Sequence, residues 1–253
     1  MIIKAAVESN IGKKRQKNED NFFFINTIKE ADIDIDLKKT GSIKPFISDK
    51  ALFAVFDGMG GEKCGEVASH TAATELLFFN NKNQFLNNAG SDVLQSYFDS
   101  ANSCVYEKSS ELTDGVMGTT AAVLYLTDGA ALIGNIGDSR IYLFRNKTLK
   151  QISVDHCRKK SDGSKSSVLT QFLGVDQNEY LIEPFIDSFA VNSDDIFLLC
   201  SDGLTDMLTD DEISSIIIKN KSPARCVRSL ISEALNYGGK DNVTALVCRI
   251  IKE

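Results

Sequence analysis

Four aspartates stand at the ends of apolar runs of strand length. Asp57 and Asp202 each begin an Asp-Gly pair directly after such a run, ALFAVF (51–56) and DIFLLCS (195–201). Asp241 precedes VTALVCRII (243–251), and Asp20, itself after Glu19, precedes NFFFINTI (21–28). Asp-Gly alone is a turn signal, and that reading suffices for the pairs at 114, 128 and 162. At 57 and 202 the preceding runs read as buried strands, so convergence of the strand ends would bring carboxylates face to face. Like charges that close raise one another's pKa and oppose folding. A divalent cation removes the conflict. Oxygen donors, with two His in the chain and no Cys cluster, suit Mg²⁺ or Mn²⁺ rather than Zn²⁺. Glycine after the acid lets the backbone approach, so its carbonyl can join the donors. Acidic strand ends also occur without metals, and the residue pattern alone leaves that alternative open.

The elements that must position these acids follow from periodicity. Residues 2–7, 21–28, 51–56, 119–126, 130–136, 140–145, 180–191, 195–200 and 243–251 read as strands, with Asp128-Gly129 a two-residue hairpin. Helices are predicted over 62–79, 91–112, 210–219 and 223–236. The last carries Val227, Leu230, Ile231, Ala234 and Leu235 on one face. This order is not alternating βαβ and predicts an α+β fold, with antiparallel sheets packed together and helices outside. No repeat or linker interrupts the chain, which reads as a single domain over 1–253. Residues 29–50 are polar and read as an exposed loop or extra hairpin. Asp32, Asp34 and Asp36 resemble a calcium loop, but Leu37 and Ile43 occupy its Gly and Glu positions, which favours a solvated edge strand.

Composition narrows the classes. Of 253 residues, 43% are hydrophobic and 25% charged, as in ordinary globular proteins. Two histidines argue against zinc chemistry and against a Ser-His-Asp or Cys-His engine. A net charge of −7 argues against nucleic acid as partner. No apolar run approaches the ~18 residues of a membrane span, and the N-terminus has no signal-peptide pattern. Six dispersed cysteines, none in a C-x-x-C, read as a reduced cytoplasmic protein.

Taken in order, several strings resemble the metal-dependent protein phosphatases, the PPM or type 2C serine/threonine phosphatases. They are Arg15-Gln16-Lys17-Asn18-Glu19-Asp20, Asp57-Gly58-Met59-Gly60-Gly61 with Gly65-Glu66-Val67-Ala68-Ser69, and Gly118-Thr119-Thr120-Ala121. Gly137-Asp138-Ser139-Arg140 with Asp155-His156, Ser201-Asp202-Gly203-Leu204, and Asp241-Asn242-Val243-Thr244 complete the series. DGMGG resembles a bacterial-type branch. The resemblance implies two packed antiparallel β-sheets flanked by pairs of α-helices. It also implies hydrolysis of phosphoserine and phosphothreonine in proteins by hydroxide formed between two Mn²⁺ or Mg²⁺ ions. By motif, Asp57 bridges both ions; Gly58 (through its carbonyl), Asp202 and Asp241 complete one site. Asp20 acts from the other side through water, Asp138 helps hold a third, weaker ion, and Arg15 clamps the phosphate. The implied partners are phosphorylated proteins and a Ser/Thr kinase, with the enzyme a monomer.

The chain departs from the family pattern in three places. Met59 stands where many members carry a histidine proposed as general acid, and Glu62 stands where bacterial members usually have histidine. The segment 157–168 is shorter than the usual flap, although Lys159, Lys160 and Lys165 give it a positive face suited to acidic substrates. His70 and His156 read as structural. Two other readings are a carboxylate-metal hydrolase of small phosphate esters and a non-catalytic regulatory module; the complete set of acids argues against the second.

Overall fold

The computed structural model describes residues 2–29, 38–42, 46–47, 50–60, 64–82, 84–87, 90–112, 117–127, 129–159 and 165–251. Asp32, Asp34, Asp36, Glu62 and Lys160, and the side chains of Lys159 and Lys165, lie outside the described part. In chain order the elements are β1 (Ile2–Asn10), β2 (Asp20–Phe24), β3 (Lys38–Ser42), β4 (Phe46–Ile47), β5 (Lys50–Met59), α1 (Gly65–Asn81), α2 (Gln84–Asn87), α3 (Ser91–Leu112), β6 (Gly118–Thr119), β7 (Ala121–Thr127) and β8 (Ala130–Ile136). There follow β9 (Arg140–Arg145), β10 (Thr148–Gln151), β11 (Cys157–Lys159), β12 (Lys165–Leu169), β13 (Phe185–Ala190), β14 (Ile196–Cys200), α4 (Asp202–Thr205), α5 (Asp210–Lys219), α6 (Pro223–Asn236) and β15 (Val243–Ile251).

Two antiparallel sheets carry the fold, as the α+β reading requires. The first runs β10-β9-β14-β15-β1-β3, with β4 also on β1; the second runs β13-β8-β7-β5-β2, with β6 on β5. Alternation along each strand splits its side chains between two layers. In β5, Phe53 and Val55 face the other sheet with Phe22, Phe24, Leu246 and Cys248. Leu52, Ala54 and Phe56 face Ala68, Ala72 and Leu76 of α1 and Leu94, Phe98 and Ala101 of α3. In β15, Ala245 and Val247 turn outward onto Val227, Leu230 and Ile231 of α6. Three apolar layers therefore hold a helix–sheet–sheet–helix stack.

Local sequence explains several element ends. Thr209 and Glu212 form a reciprocal capping box at the start of α5, and Pro223 opens α6. β2 stops at Phe24 because Ile25 and Asn26 take positive φ, which turns the chain back. The strand expected over 180–191 is confined to Phe185–Ala190, because Tyr180 N closes a turn onto the Asp176 carbonyl at 2.8 Å. In α1, Ala68, Ser69, Ala72, Ala73 and Leu76 are buried, while Val67 and Thr71 are half-buried. In the short segment after His156, β11 and β12 pair antiparallel, Cys157 opposite Leu169 and Lys159 opposite Lys165. Within 29–50, read as an exposed loop or extra hairpin, β3 and β4 both lie antiparallel to β1, while the edge-strand reading of 32–36 falls outside the described residues. All six cysteines are free thiols, and no helix among the described residues is long and apolar enough to cross a membrane.

The tightest backbone approach is at Gly203, where a Cβ would lie 1.9 Å from the Asn242 carbonyl oxygen. Gly203→Ala must therefore push α4 away from the residues that lead into β15. The expected loss, by denaturant titration, is about 1–3 kcal/mol, the usual cost of overpacking; an unchanged midpoint would show that the two segments separate freely.

Candidate metal centre

Asp20 and Asp57 are direct cross-strand partners on β2 and β5. The period-2 alternation that turns Phe22, Phe24, Phe53 and Val55 into the inter-sheet core points both carboxylates into the same layer, at its open end. The facing sheet closes that layer with hydroxyls, since Ser201 continues Phe197 and Leu199, Thr244 continues Leu246 and Cys248, and Ser9 continues Ala5 and Val7. Asp20 Oδ2 accepts hydrogen bonds from Ser201 Oγ at 2.7 Å and Thr244 Oγ1 at 2.6 Å. Ser9 Oγ lies 2.8 Å from Thr244 Oγ1 and accepts from Asn18 Nδ2. The other oxygen, Asp20 Oδ1, is buried without a hydrogen-bond partner. Asp57 is fixed through its backbone: its N–H donates to Thr120 Oγ1 at 3.0 Å, and its carbonyl accepts from Thr120 N at 2.9 Å.

Side-chain and glycine contacts draw the remaining acids to the same end. Asn242 Nδ2 donates to the carbonyls of Ile11 and Lys17, and its Oδ1 accepts from Glu19 N at 2.8 Å. One amide thus holds the 11–19 loop beside Asp241. Asp202 begins α4 immediately after β14, and Asp138 lies in the β8–β9 turn with Gly137 at φ 92° against Thr120. Gly58 is crossed by α1 so closely that a Cβ would sit 2.0 Å from the Gly65 carbonyl oxygen. The result is a cleft of about 300 Å³ lined by Arg15, Asp57, Gly58, Asp138, Asp202 and Asp241, together with Glu19, Met59, Thr120, Leu169 and Asn242. Asp20 lies beneath it, fully buried.

The electrostatics are those of a cation site. Burial first, then the charges of Asp20, Asp202, Asp138 and Asp241, holds the Asp57 carboxyl well above the usual range. Burial pushes Asp20 up to about 6 against the pull of its two hydroxyl donors. Glu19 is also raised, by burial and then by Glu66. Arg15 Nη2 donates to Asp241 Oδ2 at 2.6 Å, with about half of the Arg15 side chain exposed. Among the described residues no three acidic, His or Cys side chains are already closed around one point. The donor set nevertheless fits hard divalent cations: all donors are oxygens, one buried carboxylate oxygen is orphaned, and the Gly58 backbone meets no side chain of its own.

Every residue singled out for the site from the sequence is thus found at this end of the sandwich. His156 Nδ1 accepts from Gly137 N at 3.2 Å and His70 Nδ1 lies 3.2 Å from the Lys29 carbonyl, both in packing roles. Sequence reasoning gave no role to Glu19, Asn242 or the hydroxyl layer of Ser9, Thr120, Ser139, Ser201 and Thr244. It also missed the function of the Arg in GDSR. Arg140 forks onto Asp155 through Nε (3.0 Å) and Nη2 (2.7 Å) and donates from Nη1 to the Tyr142 hydroxyl, which stiffens the loop carrying Asp138. The signal for the hydroxyls was strand parity: each lies two residues beyond an inward apolar residue.

A two-sheet sandwich that lines one cleft with four aspartates and buries a fifth beneath it defines a divalent-metal enzyme. The family model described as protein phosphatase 2C matches residues 8–162 and 171–243, and the chain belongs to that family. It is 29% identical over 266 residues to the serine/threonine phosphatase stp of Listeria welshimeri, covering 96% of this chain and 94% of that protein. The crystal structure of the Mycobacterium tuberculosis serine/threonine phosphatase PstP/Ppp superposes with a TM-score of 0.79 at 26% identity, covering all of both chains. The PstP catalytic domain in complex with two manganese ions gives 0.78 at 26% identity, covering 99% of each.

The raised carboxyls predict how the metal-free protein responds to pH. A group whose folded pKa exceeds its unfolded value stabilises the fold below the unfolded pKa, and that contribution is lost as pH rises through the folded one. For Asp20 the window runs from about pH 4 to about 6. Relative to Asp20→Asn, the chelator-treated protein should lose melting temperature across this window, and Mn²⁺ should restore it at neutral pH. Melting curves in which wild type and Asp20→Asn run parallel would contradict the assignment.

Proposed function

We propose that this chain is a metal-dependent serine/threonine protein phosphatase that removes phosphate from phosphoserine and phosphothreonine in proteins, with residues 1–253 forming a single catalytic domain. The observation that carries the reading is the opposed pair of buried Asp20 and half-buried Asp57 facing Asp138, Asp202 and Asp241, with one oxygen of Asp20 orphaned. Asp57 would hold both ions, and the Gly58 carbonyl, Asp202 and Asp241 would complete one site. Asp20 would act from the opposite side, and Asp138 would help hold a third, weaker ion. Bound Mn²⁺ or Mg²⁺ supplies Lewis acidity and makes hydroxide available near neutral pH.

The chain's own groups do the rest. Arg15 offers a planar fork that matches two phosphate oxygens, and an incoming phosphate competes with Asp241 for it. Met59 lines the cleft and carries no proton, so that position cannot protonate the leaving oxygen. Ser201 and Thr244 hold Asp20 in one orientation, and Asn242 keeps the Arg15 loop against the aspartates. The two manganese ions in the PstP complex support the metal reading. We extend the proposal to a cytoplasmic monomer that opposes a Ser/Thr kinase; the six free thiols support a reducing compartment.

Two substitutions test the assignment. Asp57→Asn keeps the size and removes the charge that would hold the ions, and phosphopeptide turnover at saturating Mn²⁺ should fall at least ~10³-fold. Activity within tenfold of wild type would remove Asp57 from the centre. Arg15→Ala should reduce kcat/KM by about 2–3 kcal/mol, as for a lost charged hydrogen bond. Arg15→Lys should recover only part of that loss, and the melting temperature should hardly move. Turnover of nucleotides in preference to phosphopeptides would instead favour a hydrolase of small phosphate esters.

A further inference from the structure

The cleft continues into a second, larger depression. This groove measures about 750 Å³ and lies between α3, the β11–β12 hairpin and the chain from Leu169 to Leu181. Leu169 lines both spaces, so the groove begins where the cleft ends. Tyr180 and Leu181, 63% and 77% exposed, stand along it. Their exposure is built in, because the backbone beneath them is tied down. Tyr180 N donates to the Asp176 carbonyl at 2.8 Å, and Glu183 N donates to Gln171 Oε1 at 3.1 Å. Asp176 is itself held by the Tyr106 hydroxyl at 2.9 Å. Large apolar side chains presented on a fixed backbone mark an interaction site, since little entropy remains to be lost on binding.

We propose that this groove binds the substrate protein, seating an apolar side chain from the segment that flanks the phosphorylated residue. The proposal rests on the reading of the chain as a protein phosphatase. A phosphorylated side chain in the cleft brings its own backbone to the rim, and that backbone must leave across one lip. The lip formed by the 11–19 loop carries exposed Lys13, Lys14 and Arg15 and offers an apolar residue nothing. The lip at Leu169 leads directly into the groove. Five extended residues span about 17 Å, so the seated residue is expected within about five positions of the phosphorylated one.

The test compares phosphopeptides that carry either Leu or Ser at each of these positions, with p-nitrophenyl phosphate as a substrate too small to reach the groove. The wild-type enzyme should prefer Leu at one or more positions by at least about fivefold in kcat/KM, expressed mainly in KM. The double variant Tyr180→Ser/Leu181→Ser removes the apolar rim, and Ser110→Trp fills the groove from α3. Both should abolish the preference and leave p-nitrophenyl phosphate turnover within about twofold of wild type. A wild type that hydrolyses all the phosphopeptides equally, or a preference that survives both variants, overturns the groove but not the phosphatase. A wild type that hydrolyses p-nitrophenyl phosphate and no phosphopeptide overturns both. Variants that dissociate a dimer without altering any rate would assign the surface to a second copy of the chain and overturn the proposal.

Discussion

Two carboxylates placed opposite one another on adjacent strands, inside a hydrophobic sandwich, are a conflict the fold must resolve. Asp20 and Asp57 occupy inward-facing positions of β2 and β5 because the strand period allows no other choice once Phe22 and Val55 are in the core. Moving either acid outward would shift the strand by one residue and expose the whole inter-sheet face. The site is therefore not an addition to the sandwich. It is the last layer of its core, written with Asp, Ser and Thr where the deeper layers have Phe, Val and Leu.

Much of the surrounding structure serves that layer. Ser201 and Thr244 share one oxygen of Asp20, and Ser9 extends the chain of hydroxyls to β1. Gly58 and Gly203 let α1 and the Asp241 turn pack at backbone distance, which narrows the cleft without placing apolar atoms in it. Arg140, paired with Asp155 and leaning on Tyr142, stiffens the turn that carries Asp138. Arg15 neutralises Asp241 from the solvent side. The acids are thus held apart and oriented by neutral donors beneath and by a guanidinium above.

Asp20, Asp57, Asp202 and Asp241 were legible in the sequence because each stands at one end of a run apolar enough to read as a buried strand, whereas Asp138 came only from the resemblance carried by Gly137-Asp138-Ser139-Arg140. Helices 91–112, 210–219 and 223–236 were legible, and the stripe Val227, Leu230, Ile231, Ala234 and Leu235 of the last packs onto the sheet as its spacing requires. The hydroxyl layer was not, because Ser and Thr at a strand end look the same whether they face water or an aspartate; only the pairing of strands decides. α4 is a single turn, too short for a periodic signal. Tyr180 and Leu181 misled in the other direction. Apolar residues beside a strand suggest more strand, whereas here the Asp176 turn intervenes and leaves both side chains outside.

The Asn242 side chain has a consequence for the order in which the protein assembles. Its bonds to Ile11, Lys17 and Glu19 span 231, 225 and 223 residues of chain, and the Thr244–Asp20 bond spans 224. Closing loops of that length carries a large entropic cost before any contact rewards it, and such contacts slow folding. β1 pairs along its whole length with β15, so its place in the first sheet is complete only when β15 is available beside it. During synthesis, then, the second sheet with α1 and α3 has all its strands except β13 by residue 136, while the cleft has none of its far wall. The growing chain passes most of its time on the ribosome with Asp20 and Asp57 uncaged, and becomes competent only when the strand after Asn242 has emerged.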